Sequence, residues 1–138
     1  MRAEELRIGN LVYCFDKQDS EVKTVSNYEL WLEILDPDED QSYSIETEID
    51  NIEPIPLTEE WLLKFGFKYS KEEIEYFIRH YYTLNDIEVK IEQWKNNMEF
   101  DKSYSLYKDY GYITSINYVH QLQNLYFALT GEELKLNN

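Results

Sequence analysis

The chain has 138 residues, 28 Asp and Glu against 13 Lys and Arg, a formal charge of −15, and 43% hydrophobic residues. That length suits one compact domain, or two small lobes sharing a core, with roughly 68–70% of the unfolded surface buried on folding. The hydrophobic fraction excludes wholesale disorder, and no apolar run approaches the roughly 18 residues a membrane span needs.

In LRIGNLVYCF, Gly9-Asn10 is a turn pair, and the near-continuous apolar run over 11–15 predicts a short strand buried on both sides. Lys17 to Ser20 reads as a turn. Alternation at Val22, Thr24 and Ser26 predicts a second strand, and Leu30 to Leu35 a third. Asp36-Pro37-Asp38-Glu39-Asp40 breaks it, because proline lacks an N–H and the carboxylates repel one another. Tyr43 and Ile45, then Ile49, Ile52 and Ile55, complete four or five short strands, which suggests a small SH3-like antiparallel barrel or curled sheet.

The clearest helix signal is PLTEEWLLKFGF. Thr58 is placed as N-cap, Glu59 and Glu60 sit in the first turn where the helix dipole favours anions, and Leu57 and Leu62 form a hydrophobic staple. Gly66 stops the helix after about two turns. Over 69–113 the spacing predicts an antiparallel meander of three or four strands. One strand spans Ile74 to Leu84, Asn85-Asp86 turns the chain, and Ile87, Val89 and Ile91 face opposite Glu88, Lys90 and Glu92. That alternation is what one dry face and one wet face produce. Lys95-Asn96-Asn97 makes a further turn, and weaker strands around Phe100, Tyr104, Leu106 and Tyr112 are broken at Asp109-Tyr110-Gly111.

The last element is a helix in NYVHQLQNLYFALTGEEL. Val119, Leu122, Tyr126 and Leu129 form its apolar stripe, Gln121, Gln123 and Asn124 lie on the other side, and Gly131 ends it. The fold class is therefore α+β. An SH3-like unit over 1–56 is followed by a short helix, a β meander and a C-terminal helix over 57–138, the helix backing the meander in one cooperative whole.

The segments LRIGNLV, IEPIPLTEEWLLKFGF and YVHQLQNLYFALTGEEL resemble a family of short uncharacterised proteins found in bacterial genomes and their phages. That family carries no established activity, cofactor or partner, so the resemblance implies none. Most of its matching residues serve caps, staples and stripes. His120, Gln121, Gln123 and Asn124 are polar, which makes that helix face the place for a functional role.

Charge is uneven. Residues 1–60 hold 17 acidic and 4 basic side chains, whereas residues 61–138 hold 11 and 9. An acidic half cannot displace the counterions that drive nucleic-acid binding, and it is repelled by anionic lipid, so neither direct nucleic acid nor membrane is expected as a partner. The opening MRAEELRIGN lacks the basic start of a secretory leader, and Cys14, the one cysteine, has no disulfide partner; both point to a cytoplasmic setting.

No residue set earns a catalytic, cofactor or metal assignment. Asp36, Asp38 and Asp40 match the first ligands of a calcium loop, but Gln41 replaces its glycine and Thr47 its bidentate glutamate. No phosphate-binding glycine motif is present. Thirteen tyrosines, ten of them after residue 68, suit half-exposed strands and also recognition surfaces. The expected function is a non-enzymatic module that binds another protein. The alternatives are a small enzyme using His80 or His120 with a carboxylate, and an acidic decoy that occupies a basic nucleic-acid-binding groove.

Overall fold

The computed structural model describes residues 5–16, 19–28, 32–35, 45–47, 51–95 and 103–136. The sequence reading of Asp36 to Asp40, and those of Trp31, Tyr43, Ile49 and Phe100, lie outside the described residues. Among the described residues ten strands and two helices make an α+β chain, which divides into two compact units: residues 1–56 with 118–132, and 57–117 with 133–138. No helix among the described residues is long and apolar enough to cross a membrane.

The first unit holds β1 (Leu11–Asp16), β2 (Asp19–Tyr28), β3 (Leu32–Leu35), β4 (Ile45–Thr47) and β5 (Ile52–Glu53), and one helix, α2 (Val119–Thr130). Its antiparallel sheet runs β4-β3-β2-β1-β5, so the fifth strand returns beside the first. Leu6, Val12, Cys14, Val25 and Ile52 make one buried cluster. Residues 57–138 therefore do not form a single unit, and α2, expected with the meander, is grouped with the first sheet. Helical periodicity identifies a dry stripe but carries no information about which sheet will cover it. The destination is set by specific bonds: Val119 N–H to the Ile55 carbonyl at 2.9 Å, and the amide contacts described below.

The second unit opens with α1 (Glu59–Lys64). Thr58 Oγ1 accepts from the Trp61 N–H at 3.3 Å, and Leu57 and Leu62 are both buried, as a staple requires. At the other end Gly66 adopts φ 91°. Its N–H bonds the Leu63 carbonyl, and the Phe67 N–H bonds Leu62, a Schellman closure whose flanking apolar residues, Leu62 and Phe67, are buried.

The sheet that follows has five strands, not three or four: β6 (Lys68–Glu73), β7 (Phe77–Leu84), β8 (Ile87–Trp94), β9 (Tyr104–Lys108) and β10 (Gly111–Ile116), in the order β10-β9-β8-β7-β6. The strand expected from Ile74 begins at Phe77, because Ile74 closes a turn through its N–H to the Phe77 carbonyl at 2.9 Å. The extra strand, β6, reads KYSKEE and is exposed at all six positions. An edge strand with no dry face has no apolar alternation to betray it, and its charges discourage pairing with another chain.

Register and pleat assign every side chain of this sheet to one of two faces. The covered face carries Tyr82, Ile87, Val89, Ile91, Tyr104 and Leu106, all buried. Glu59, at the start of α1, lies beside the hydroxyls of Tyr82 and Tyr104. Burial first, and that carboxylate second, push both phenols above the usual tyrosine range.

Candidate functional site

The polar face of α2, where the sequence suggested a functional role, is engaged in folding. Gln123 is only 3% exposed. Its Oε1 accepts from the Leu11 N–H at 2.8 Å, and its Nε2 donates to the Gly9 carbonyl at 3.1 Å. Asn124 Oδ1 accepts from Arg7 Nη1 and Asn10 Nδ2, both at 2.8 Å, and its amide nitrogen donates to the Glu5 carbonyl at 3.0 Å. Gln121 accepts from the Tyr118 N–H at the helix start. A helix of this kind must satisfy the backbone of the turn it covers, since an unpaired buried amide costs about 1–3 kcal/mol. Two of the segments that carry the resemblance, LRIGNLV and the C-terminal one, are thus bonded to each other.

His120 sits in the same core at 2% exposure, with neither ring nitrogen hydrogen-bonded. Burial holds its pKa below the usual imidazole value, and Glu5, whose Oε2 stands 3.7 Å from Nε2, opposes that shift. The ring is stacked on Tyr118 and sealed from any substrate. His80 lies half-buried on β7, with Tyr69 Oη at 2.7 Å from Nδ1 and Gln93 Oε1 at 3.2 Å from Nε2. Neither imidazole is among the residues that line the cavity described below. Cys14 is buried. Among the described residues, no group of three or more His, Cys, Asp or Glu is arranged to hold a metal ion.

The unusual surface is the other face of the second sheet. Phe77 is opposite Trp94, Arg79 opposite Glu92, Tyr81 opposite Lys90, and Glu88 opposite Tyr107, which in turn pairs with Tyr112. Trp94 is 56% exposed and Tyr112 58%. Three cation–π contacts thread this row: Arg79 over Phe77 at 4.8 Å, and Lys90 over Tyr107 at 4.4 Å and over Tyr81 at 5.3 Å. Tyr81 donates to Glu72 at 2.9 Å, and Arg79 reaches Glu92 at 3.2 Å. Tyr107 and Tyr112 meet edge to face, their centroids 5.6 Å apart. Aromatic rings normally seek burial, so a wet face built from them is a signal in itself.

At one end of this face two hairpin tips flank an open cavity of about 240 Å³. Its lining includes Asp86, Ile87, Glu88, Tyr107, Asp109 and Tyr110. One tip turns at Asn85 (φ 55°), the other at Asp109 and Tyr110 (φ 51° and 66°). Asparagine and aspartate tolerate this left-handed backbone; tyrosine does so at a cost. Tyr110 is nevertheless fully exposed there, at 100%.

The sequence alone placed Glu88, Lys90 and Glu92 on a wet face and flagged the tyrosines, but it did not assemble them. The missing step was register: the two-residue turn at Asn85-Asp86 sets Leu84 against Ile87, which places Phe77 across from Trp94 and aligns the aromatic row. Comparison with known proteins adds no relative: no family model matches the sequence, and neither a curated protein nor a solved structure does.

Proposed function

We propose that the protein is a non-enzymatic module that binds another protein, and that the open face of the second sheet is its contact surface. The observation that carries this reading is the row of Phe77, Tyr81, Trp94, Tyr107 and Tyr112 with Arg79 interleaved, in which Trp94 and Tyr112 are exposed and the other three rings are half-buried. Tyr, Trp and Arg are the residues that dominate binding energy at protein interfaces. The face balances Lys68, Arg79 and Lys90 against Glu72, Glu88 and Glu92, so it lacks the net positive charge that a nucleic-acid backbone demands.

Other parts of the reading are supported more indirectly. The strand order of the first sheet, a four-strand meander with the fifth strand returning beside the first, supports the SH3-like reading. A single buried thiol suits a reducing cytoplasm. The resemblance to bacterial and phage-associated proteins directs the search for a partner to neighbouring genes.

The test is recovery of partners from native cytoplasm by the intact chain and by a Trp94→Ser, Tyr112→Ser double variant with an unchanged thermal midpoint. A specific partner retained by the intact chain and lost by the variant is the expected result. Equal recovery by both would remove the sheet face from the function.

A further inference from the structure

The open face of the second sheet sets three cations, Lys68, Arg79 and Lys90, among three carboxylates, Glu72, Glu88 and Glu92, so these charges cancel. The whole chain stands at −15. A strongly basic partner is drawn to the acidic surface elsewhere, and a strongly acidic one is repelled by it. A neutral face with both signs interspersed is matched by a face of the same kind, and another molecule of this chain carries one.

The placement of the rings and charges is self-complementary as well. Tyr112 is level with Tyr107, and Tyr107 with Glu88, six residues along β8 from Trp94. The two exposed rings thus stand at opposite ends of the face, roughly 20 Å apart along the strands and roughly 10 Å across them. A two-fold axis in the plane of contact, midway between them, sets Trp94 of each copy on Tyr112 of the other. The same rotation carries Arg79, level with Glu92, toward the partner's Glu88, and Glu92 toward the partner's Lys90. Area is sufficient too. At ordinary rise and spacing the five strands give a face of about 540 Å², so two overlapped copies bury about 1,100 Å². Specific interfaces begin near roughly 1,000 Å², and one so close to that bound is weak.

We infer that the occupant of this face is a second copy of the chain, seated by a two-fold axis that pairs Trp94 with Tyr112 and Arg79 with Glu88. The inference rests on the reading of this face as a contact surface and names what covers it. Trp94 and Tyr112 are the anchors, since exposed aromatic rings gain most from being covered, while the half-buried rings between them are already capped by Arg79 and Lys90.

Sedimentation equilibrium of the full chain, from about 2 to about 400 µM, should show a monomer–dimer equilibrium with a dissociation constant of about 10–100 µM. Trp94→Ser with Tyr112→Ser should weaken it about tenfold or more. Arg79→Glu and Glu88→Arg should each be monomeric alone, because like charges then face one another, and an equal mixture of the two should dimerise again. A variant that merely misfolds is not rescued by its counterpart, so recovery in the mixture is specific to the pairing. A monomer throughout the range, a dimer untouched by the ring substitutions, or charge variants that the mixture does not rescue would each overturn the inference. The two readings fail separately. If the chain stays monomeric while the Trp94→Ser, Tyr112→Ser variant loses a cytoplasmic partner, only the second copy falls. If it dimerises as expected and both forms recover the same partners, the dimer stands and the face binds nothing else.

Discussion

The polar face of α2 and the aromatic face of the second sheet invert the usual association of residue type with place. In the first, Gln123 and His120 are buried and Asn124 is half-buried, and the two amides hold the chain together. In the second, tryptophan, tyrosine and phenylalanine stand in or near solvent while Ile87, Val89 and Ile91 are buried on the opposite side of β8. What a residue does follows from the bonds it leaves unmade. Gln123 and Asn124 spend their donors and acceptors on backbone and neighbouring side chains, whereas Trp94 and Tyr112 keep more than half of their surface in solvent.

The sharpest way to break this contrast is Gln123→Leu. It orphans the buried Leu11 N–H and the Gly9 carbonyl, and should cost about 2–4 kcal/mol of unfolding free energy by urea titration. A loss below about 0.5 kcal/mol would return that helix face to the list of functional surfaces. Next come the helix ends. Gly131→Ala forces an alanine into φ 77° with nothing nearby to clash, so its cost of about 1 kcal/mol is purely backbone. Thr58→Ala, removing one cap bond, should cost about the same.

His120 sharpens the contrast through pH. Its folded pKa lies below the unfolded value near 6.5, so the unfolded chain binds the extra proton first. The contribution of the neutral ring is complete above that value and is lost as pH falls through the folded pKa. Denaturation midpoints at pH 7 and 5.5 should therefore drop more for the native chain than for His120→Leu, which has no proton to take up. Identical drops would mean that the ring reaches solvent. Smallest of all should be the sheet face: Trp94→Ser with Tyr112→Ser is expected to move stability by no more than about 0.5 kcal/mol while removing binding.

Much of this was legible from residues in order, but only where a signal is local. Thr58, Gly66 and Gly131 act on backbone within a turn of themselves, and Asn85-Asp86 joins two strands that touch. Three features were hidden. The strand KYSKEE has no dry side to pattern. The sheet that α2 joins is chosen by partners more than a hundred positions away, so a polar Gln123 looked exposed. The cavity appears only when two hairpin tips, each unremarkable alone, stand side by side in the sheet.

The clasp between residues 5–11 and 123–124 also dictates an order of events during synthesis. The first unit is split in sequence by the second, so its opening strands leave the ribosome long before the helix that locks them. The chain through Asn124 must emerge before that unit can be finished, whereas α1 and its five-stranded sheet can consolidate meanwhile. A nascent chain halted before Asn124 should therefore expose the half-made first sheet to chaperones and proteases, and translation speed over the intervening stretch becomes a determinant of yield.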